Sequence, residues 1–174
     1  LCAQKLGDQK KISFMERILS GENKELVLAQ SDYESAGGKA TPEGRSKGTV
    51  YASLLFKDEE TKTQAVKLAG ELLDLQEKDI VNERDGAAAN ALIMAEYFYE
   101  QNRKGEAAEK YLKAAEYFRA SGQDTEDKAA GALYSATDNF MACGLQGDAE
   151  ETAKLLVNLY PETKQGKKVM NLVK

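Results

Sequence analysis

Residues 87–118 read AAANALIMAEYFYEQNRKGEAAEKYLKAAEYF. Ala91, Met94, Ala95 and Phe98 recur at the spacing of one helical face. Asn102-Arg-Lys-Gly105 breaks that pattern, and a second stripe follows: Ala107, Ala108, Tyr111, Leu112, Ala114, Ala115 and Phe118. The reading is a helical hairpin, closed by Ser121-Gly122, with Asp124 as N-cap for the next helix.

Outward from this hairpin the chain repeats. Phe14, Phe56, Phe98 and Phe140 are each 42 residues apart. Ala65, Ala107 and Ala149 fall on the same lattice, as do Gly21, Gly105 and Gly147, and the pair Gly44 and Gly86. Several series with one spacing mean stacked supersecondary units. A later hairpin runs from Thr125 to Cys143, turns at Gly144-Leu-Gln-Gly147, returns through Ala149, Ala153, Leu156 and Leu159, and stops before Pro161. An earlier one opens at Thr41-Pro42-Glu43, an N-cap with proline at the first helical position. It runs through Val50 to Phe56, turns at Asp58-Glu-Glu60 and returns through Ala65, Leu68, Ala69, Leu72 and Leu75. The first unit, about 8–36, is divergent: Asn23 stands where the lattice has alanine. The loop Ala36-Gly-Gly-Lys-Ala-Thr-Pro42 separates it from the second. Val169, Met170, Leu172 and Val173 predict a capping helix over 162–174.

Composition removes whole classes of chemistry. The 174 residues hold no histidine and two cysteines. That excludes a Ser-His-Asp triad, a Cys-His pair and a histidine-based zinc helix, and two thiolates are too few for a zinc site. No catalytic residue, metal or cofactor is expected. Net charge is −5, with no basic stripe, so nucleic acid is an unfavoured ligand. No apolar run reaches the length of a membrane span. Cys2 and Cys143 read as unpaired thiols, Cys143 as a small core residue. Leu1-Cys2-Ala3-Gln4 is compatible with the residue of a cleaved signal, which favours export to the periplasm or medium; the alternative is the cytoplasm.

The units resemble tetratricopeptide (TPR) repeats. Counting from Ala88, that family's signature positions carry Ala95, Phe98, Asn102, Ala107, Tyr111 and Ala114. Counting from Ala130 they carry Thr137, Phe140, Gly144, Ala149, Ala153, Leu156 and Pro161, and from Ser46, Ser53, Phe56, Glu60, Ala65, Ala69 and Leu72. The match covers about 42–161, with a period of 42 where the family has 34. Eight additional residues lengthen each helix by about one turn. The resemblance implies an all-α, right-handed superhelix of three to four repeats in one solenoid domain: 8–36, 42–81, 84–121 and 125–161, then the cap. In it, alanine lets paired helices approach, and the lattice phenylalanine fills the space between neighbouring pairs.

The resemblance also implies a concave groove lined by the first helix of each pair. Its residues are Val50, Leu54 and Lys57, then Leu92, Glu96 and Tyr99, then Tyr134, Asp138 and Met141. None of the lysine, arginine or asparagine that would clamp a C-terminal carboxylate stands at the matching positions. An apolar and basic segment, such as an amphipathic helix, is the expected ligand. The function expected is therefore a non-catalytic scaffold or adaptor for a peptide or partner subunit. A self-associating homo-oligomer is the alternative, and a carboxylate-only enzyme a remote third.

Overall fold

A computed structural model describes residues 2–122 and 125–173. Among the described residues there is no strand. The α-helices are α1 (Cys2–Leu19), α2 (Lys24–Ser35), α3 (Pro42–Leu55), α4 (Lys62–Gln76), α5 (Ile80–Glu100), α6 (Lys104–Ser121), α7 (Glu126–Ala142), α8 (Gln146–Leu159) and α9 (Lys164–Val169). The chain divides into two compact units, Leu1–Leu68 and Ala69–Lys174, the division falling within α4.

The lattice is visible in where helices begin. α4, α6 and α8 start at Lys62, Lys104 and Gln146, each 42 residues after the last. The lattice alanine is the fourth residue of each, and Ala65, Ala107 and Ala149 are buried. A methyl group there lets a neighbouring backbone approach as no larger side chain would. α2 begins at Lys24 instead, about one turn late. The lattice position therefore falls ahead of the helix, and Asn23 caps it, its side-chain oxygen accepting from the Glu25 and Leu26 N–H groups.

In the second unit, α5 packs along α6, α6 along α7 and α7 along α8, while α9 packs on both α7 and α8. Their core gathers Leu73, Ala88, Ala115, Phe118, Leu133, Leu156, Tyr160 and Val169. A smaller cluster joins Ala108, Ala136, Phe140 and Ala149. The α5–α6 and α7–α8 turns are closed alike. Asn102 and Gly144, 42 residues apart, both adopt positive φ (57° and 82°). The next N–H of each, Arg103 and Leu145, donates to the lattice Phe carbonyl, at 2.9 Å in both. This is the left-handed C-cap that ends a helix.

In the first unit, Tyr51, Leu55 and Ala65 form the core with Leu26, Tyr33 and Phe56 around them. The Tyr33 and Tyr51 rings stack at 6.1 Å. Arg17 ties α1 to α2, donating to Gln30 Oε1 at 2.8 Å. The α3–α4 turn has no left-handed residue at Glu60, the lattice partner of Asn102. Thr61 closes it, its hydroxyl donating to the Leu55 carbonyl at 2.5 Å. Thr125 does the same between α6 and α7, donating to Phe118 O at 2.5 Å.

Two joints share a Thr-x-x-Gly device, of which the sequence predicts the cap at Thr41 but not the role of its glycine. Thr41 caps α3 and Thr163 caps α9, each accepting from the N–H of the glycine three residues on, Gly44 and Gly166. A Cβ on Gly44 would lie 1.8 Å from Gly38 O, and one on Gly166 2.2 Å from Tyr160 O. Only glycine fits under those carbonyls.

Several expectations change. Cys143 is exposed, because it lies in the last turn before Gly144 rather than on the buried stripe of α7. The C-terminal element is shorter than 162–174: α9 ends at Val169 and a single 3₁₀ turn, Met170–Leu172, follows. The third unit's first helix begins ahead of 84: α5 starts at Ile80 and kinks at Glu83. Only one lattice phenylalanine, Phe140, is fully buried, at 6% exposure. Phe14, Phe56 and Phe98 are half-buried. A cation covers each ring instead: Arg17 at 5.7 Å, Lys62 at 5.3 Å and Arg103 at 4.4 Å from the centroids. The side chain of Cys2 and the Asp124 cap lie outside the described residues.

Candidate functional site

The nine groove positions fall on α3, α5 and α7 or the residue or two after, and are described unit by unit. In the first unit, Val50 is 55% exposed, Leu54 half-buried and Lys57 exposed. In the second, Leu92 and Tyr134 occupy equivalent lattice places, are half-buried and pack against the core. Glu96 and Asp138 are equivalent and exposed. Tyr99 and Met141 are equivalent too, and both stay open to solvent, at 47% and 41%. α5 and α7 therefore repeat one order along this face, which α3 does not share: an apolar foot on the core, a carboxylate, and a large exposed side chain.

The surroundings of Tyr99 contain residues that sequence reasoning passed over. Tyr111 of α6 is half-buried beside Glu96, Tyr99 and Glu100 of α5. Burial, and then those carboxylates, push its hydroxyl up to about 12. The Lys104 ammonium lies over the Tyr99 ring, 3.3 Å from its centroid. Lys168 of α9 lies over Tyr134 at 5.1 Å. Both groove tyrosines of this unit thus carry a lysine ammonium on one face. The helical stripe of α6 accounts for the ring of Tyr111 and not for its polar end. Lys104 and Lys168 give no sequence signal, since a lysine five or thirty-four residues from a tyrosine is ordinary.

Elsewhere in this unit, Glu77 accepts from Tyr117 Oη at 2.7 Å and pairs with Lys113 at 2.5 Å. Burial raises the Glu77 carboxyl, but the Lys113 and Tyr117 bonds outweigh it and hold the group below its ordinary range. The triad ties the end of α4 to α6. A cleft opens between α6, α7 and α8, lined by Ala115, Arg119, Leu133, Leu155, Leu159 and Tyr160. Among the described residues no cluster of acidic, cysteine or histidine side chains could hold a metal ion. No helix among them is long and apolar enough to cross a membrane.

No protein-family model matches this chain, and no curated protein or solved structure matches it either.

Proposed function

We propose that this chain is a non-catalytic, TPR-like interaction scaffold. In this reading the outer row of α5 and α7 receives an apolar and basic segment of a partner protein. The observation that carries the reading is the exposure of Tyr99 and Met141 at equivalent lattice positions. A solvated face would place charged side chains there, while flexible methionine and amphipathic tyrosine suit peptide surfaces. Glu96 and Asp138 beside them favour a cationic partner over an anionic one.

Selection from a random peptide library on the immobilised full chain tests this. Enriched peptides should combine Leu, Ile or Phe with Lys or Arg at helical spacing. They should be lost by a Leu92→Ala, Glu96→Lys, Tyr134→Ala variant whose helicity is unchanged. Enrichment of acidic peptides, or equal enrichment by the variant, contradicts it.

Self-association is the second reading, and one observation favours it. Ile12, Met15 and Leu19 form a stripe on α1 and are 57%, 57% and 82% exposed. A molar mass that rises with concentration would bring it forward.

A further inference from the structure

The groove tyrosines already hold cations, and one of those cations sits where the fold repels it. Lys104 is the first residue of α6. The unpaired N–H groups of a helix N-terminus disfavour positive charge there. The ammonium nonetheless lies 3.3 Å from the Tyr99 centroid, on the α5 face that carries Glu96 and Glu100. The ring quadrupole holds an ammonium against an opposing helix dipole. Lys104 itself is only half-buried, and the ring beneath it is 47% exposed, so the place is open to exchange with solvent.

We infer that the Tyr99 face, flanked by Glu96 and Glu100, is a seat for a lysine ammonium of the bound partner, and that Lys104 is its resident competitor. This rests on the groove reading above. Binding a partner lysine displaces Lys104, whose own ammonium returns to water. The resident lysine therefore lowers affinity for every basic ligand and selects those whose lysine is placed to replace it. The lattice mate of Lys104 is placed differently. Lys62 lies at 5.3 Å over Phe56, the mate of Phe98 and not of Tyr99, and is bonded to Glu59 at 2.6 Å. The open lysine-on-tyrosine arrangement is therefore particular to Tyr99, where the first unit carries Lys57.

The test uses a fluorescein-labelled amphipathic leucine–lysine peptide of about 14 residues, long enough for a marginal helix. It is titrated with the full chain at about 0.15 M salt and followed by anisotropy. Lys104→Met keeps the apolar stem and removes the charge; it should tighten binding about three-fold. Tyr99→Leu should weaken binding by a similar factor. Lys104→Met placed in the Tyr99→Leu background should change nothing. A gain that persists without Tyr99 is repulsion at a distance and overturns the seat, as does no gain from Lys104→Met alone. If wild type binds, is weakened by Leu92→Ala with Tyr134→Ala, and is indifferent to Lys104 and Tyr99, only the seat fails. If neither wild type nor any variant binds the peptide, the groove reading fails and the seat with it.

Discussion

The α7–α8 hairpin and the α1–α2 hairpin carry the same lattice phenylalanine and bury very different amounts around it. α7 buries Ala129, Ala130, Ala132, Leu133, Ala136, Thr137, Asn139 and Phe140. α2 buries Val27 alone, and α1 leaves Ile12, Met15 and Leu19 in solvent. A helix inside a stack is packed on several sides, so its small residues meet neighbouring backbones. A helix with an unoccupied side keeps the apolar pattern without the burial. Periodicity therefore records which faces are built to pack, and fidelity to the lattice records which of them do.

The largest expected contrast lies at the phenylalanines. Phe140→Ala should cost about 4 kcal/mol. Phe14→Ala, removing a half-buried ring under Arg17, should cost about 1 kcal/mol. Urea unfolding followed by circular dichroism measures both, and equal losses would break the comparison. Next come the alanine positions. Ala107→Leu forces a larger side chain into a site with no exposure and should cost about 3 kcal/mol. At the equivalent place, Asn23→Ala restores the lattice residue and should still destabilise, by about 1 kcal/mol, because it deletes a cap.

The Glu77 triad offers a pH test of the second unit. Its carboxyl lies below the ordinary value when folded. Its contribution is thus present above the unfolded value of about 4.3 and disappears as pH falls through the lower folded value. Glu77→Gln should cost about 1 kcal/mol at pH 7, a figure already reduced for partial exposure. The gap between variant and wild type should close in acid; a gap that is constant with pH would remove the carboxylate from the account. The smallest contrast is at the turns. Gly144→Ala should cost about 1 kcal/mol, and Asn102→Gly should gain about 0.5 kcal/mol, since both residues hold positive φ.

Much of this fold is legible in the sequence because it is periodic. The starts of α4, α6 and α8 and the turns at Asn102 and Gly144 follow from lattice glycines, alanines and the Asn-Arg-Lys-Gly break. What escaped is what periodicity does not encode. Glycines 44 and 166 are required by carbonyls of the preceding loop, and threonines 61 and 125 bond across turns to helix ends six and seven residues back. The exposure of Cys143 depends on where α7 stops, one residue short of it. At the candidate site, the helical face of Leu92, Glu96 and Tyr99 was readable. The lysines over the tyrosines were not, because rotamers of long side chains leave no mark on a pattern of residue types.

The most direct test is a chemical-shift map of the uniformly labelled chain titrated with the leucine–lysine peptide. The account predicts perturbations concentrated at Leu92, Glu96, Tyr99, Tyr134, Asp138 and Met141, with the α6–α8 cleft unmoved. Perturbations centred on Arg119, Leu155 and Tyr160, with the α5 and α7 row silent, would contradict it.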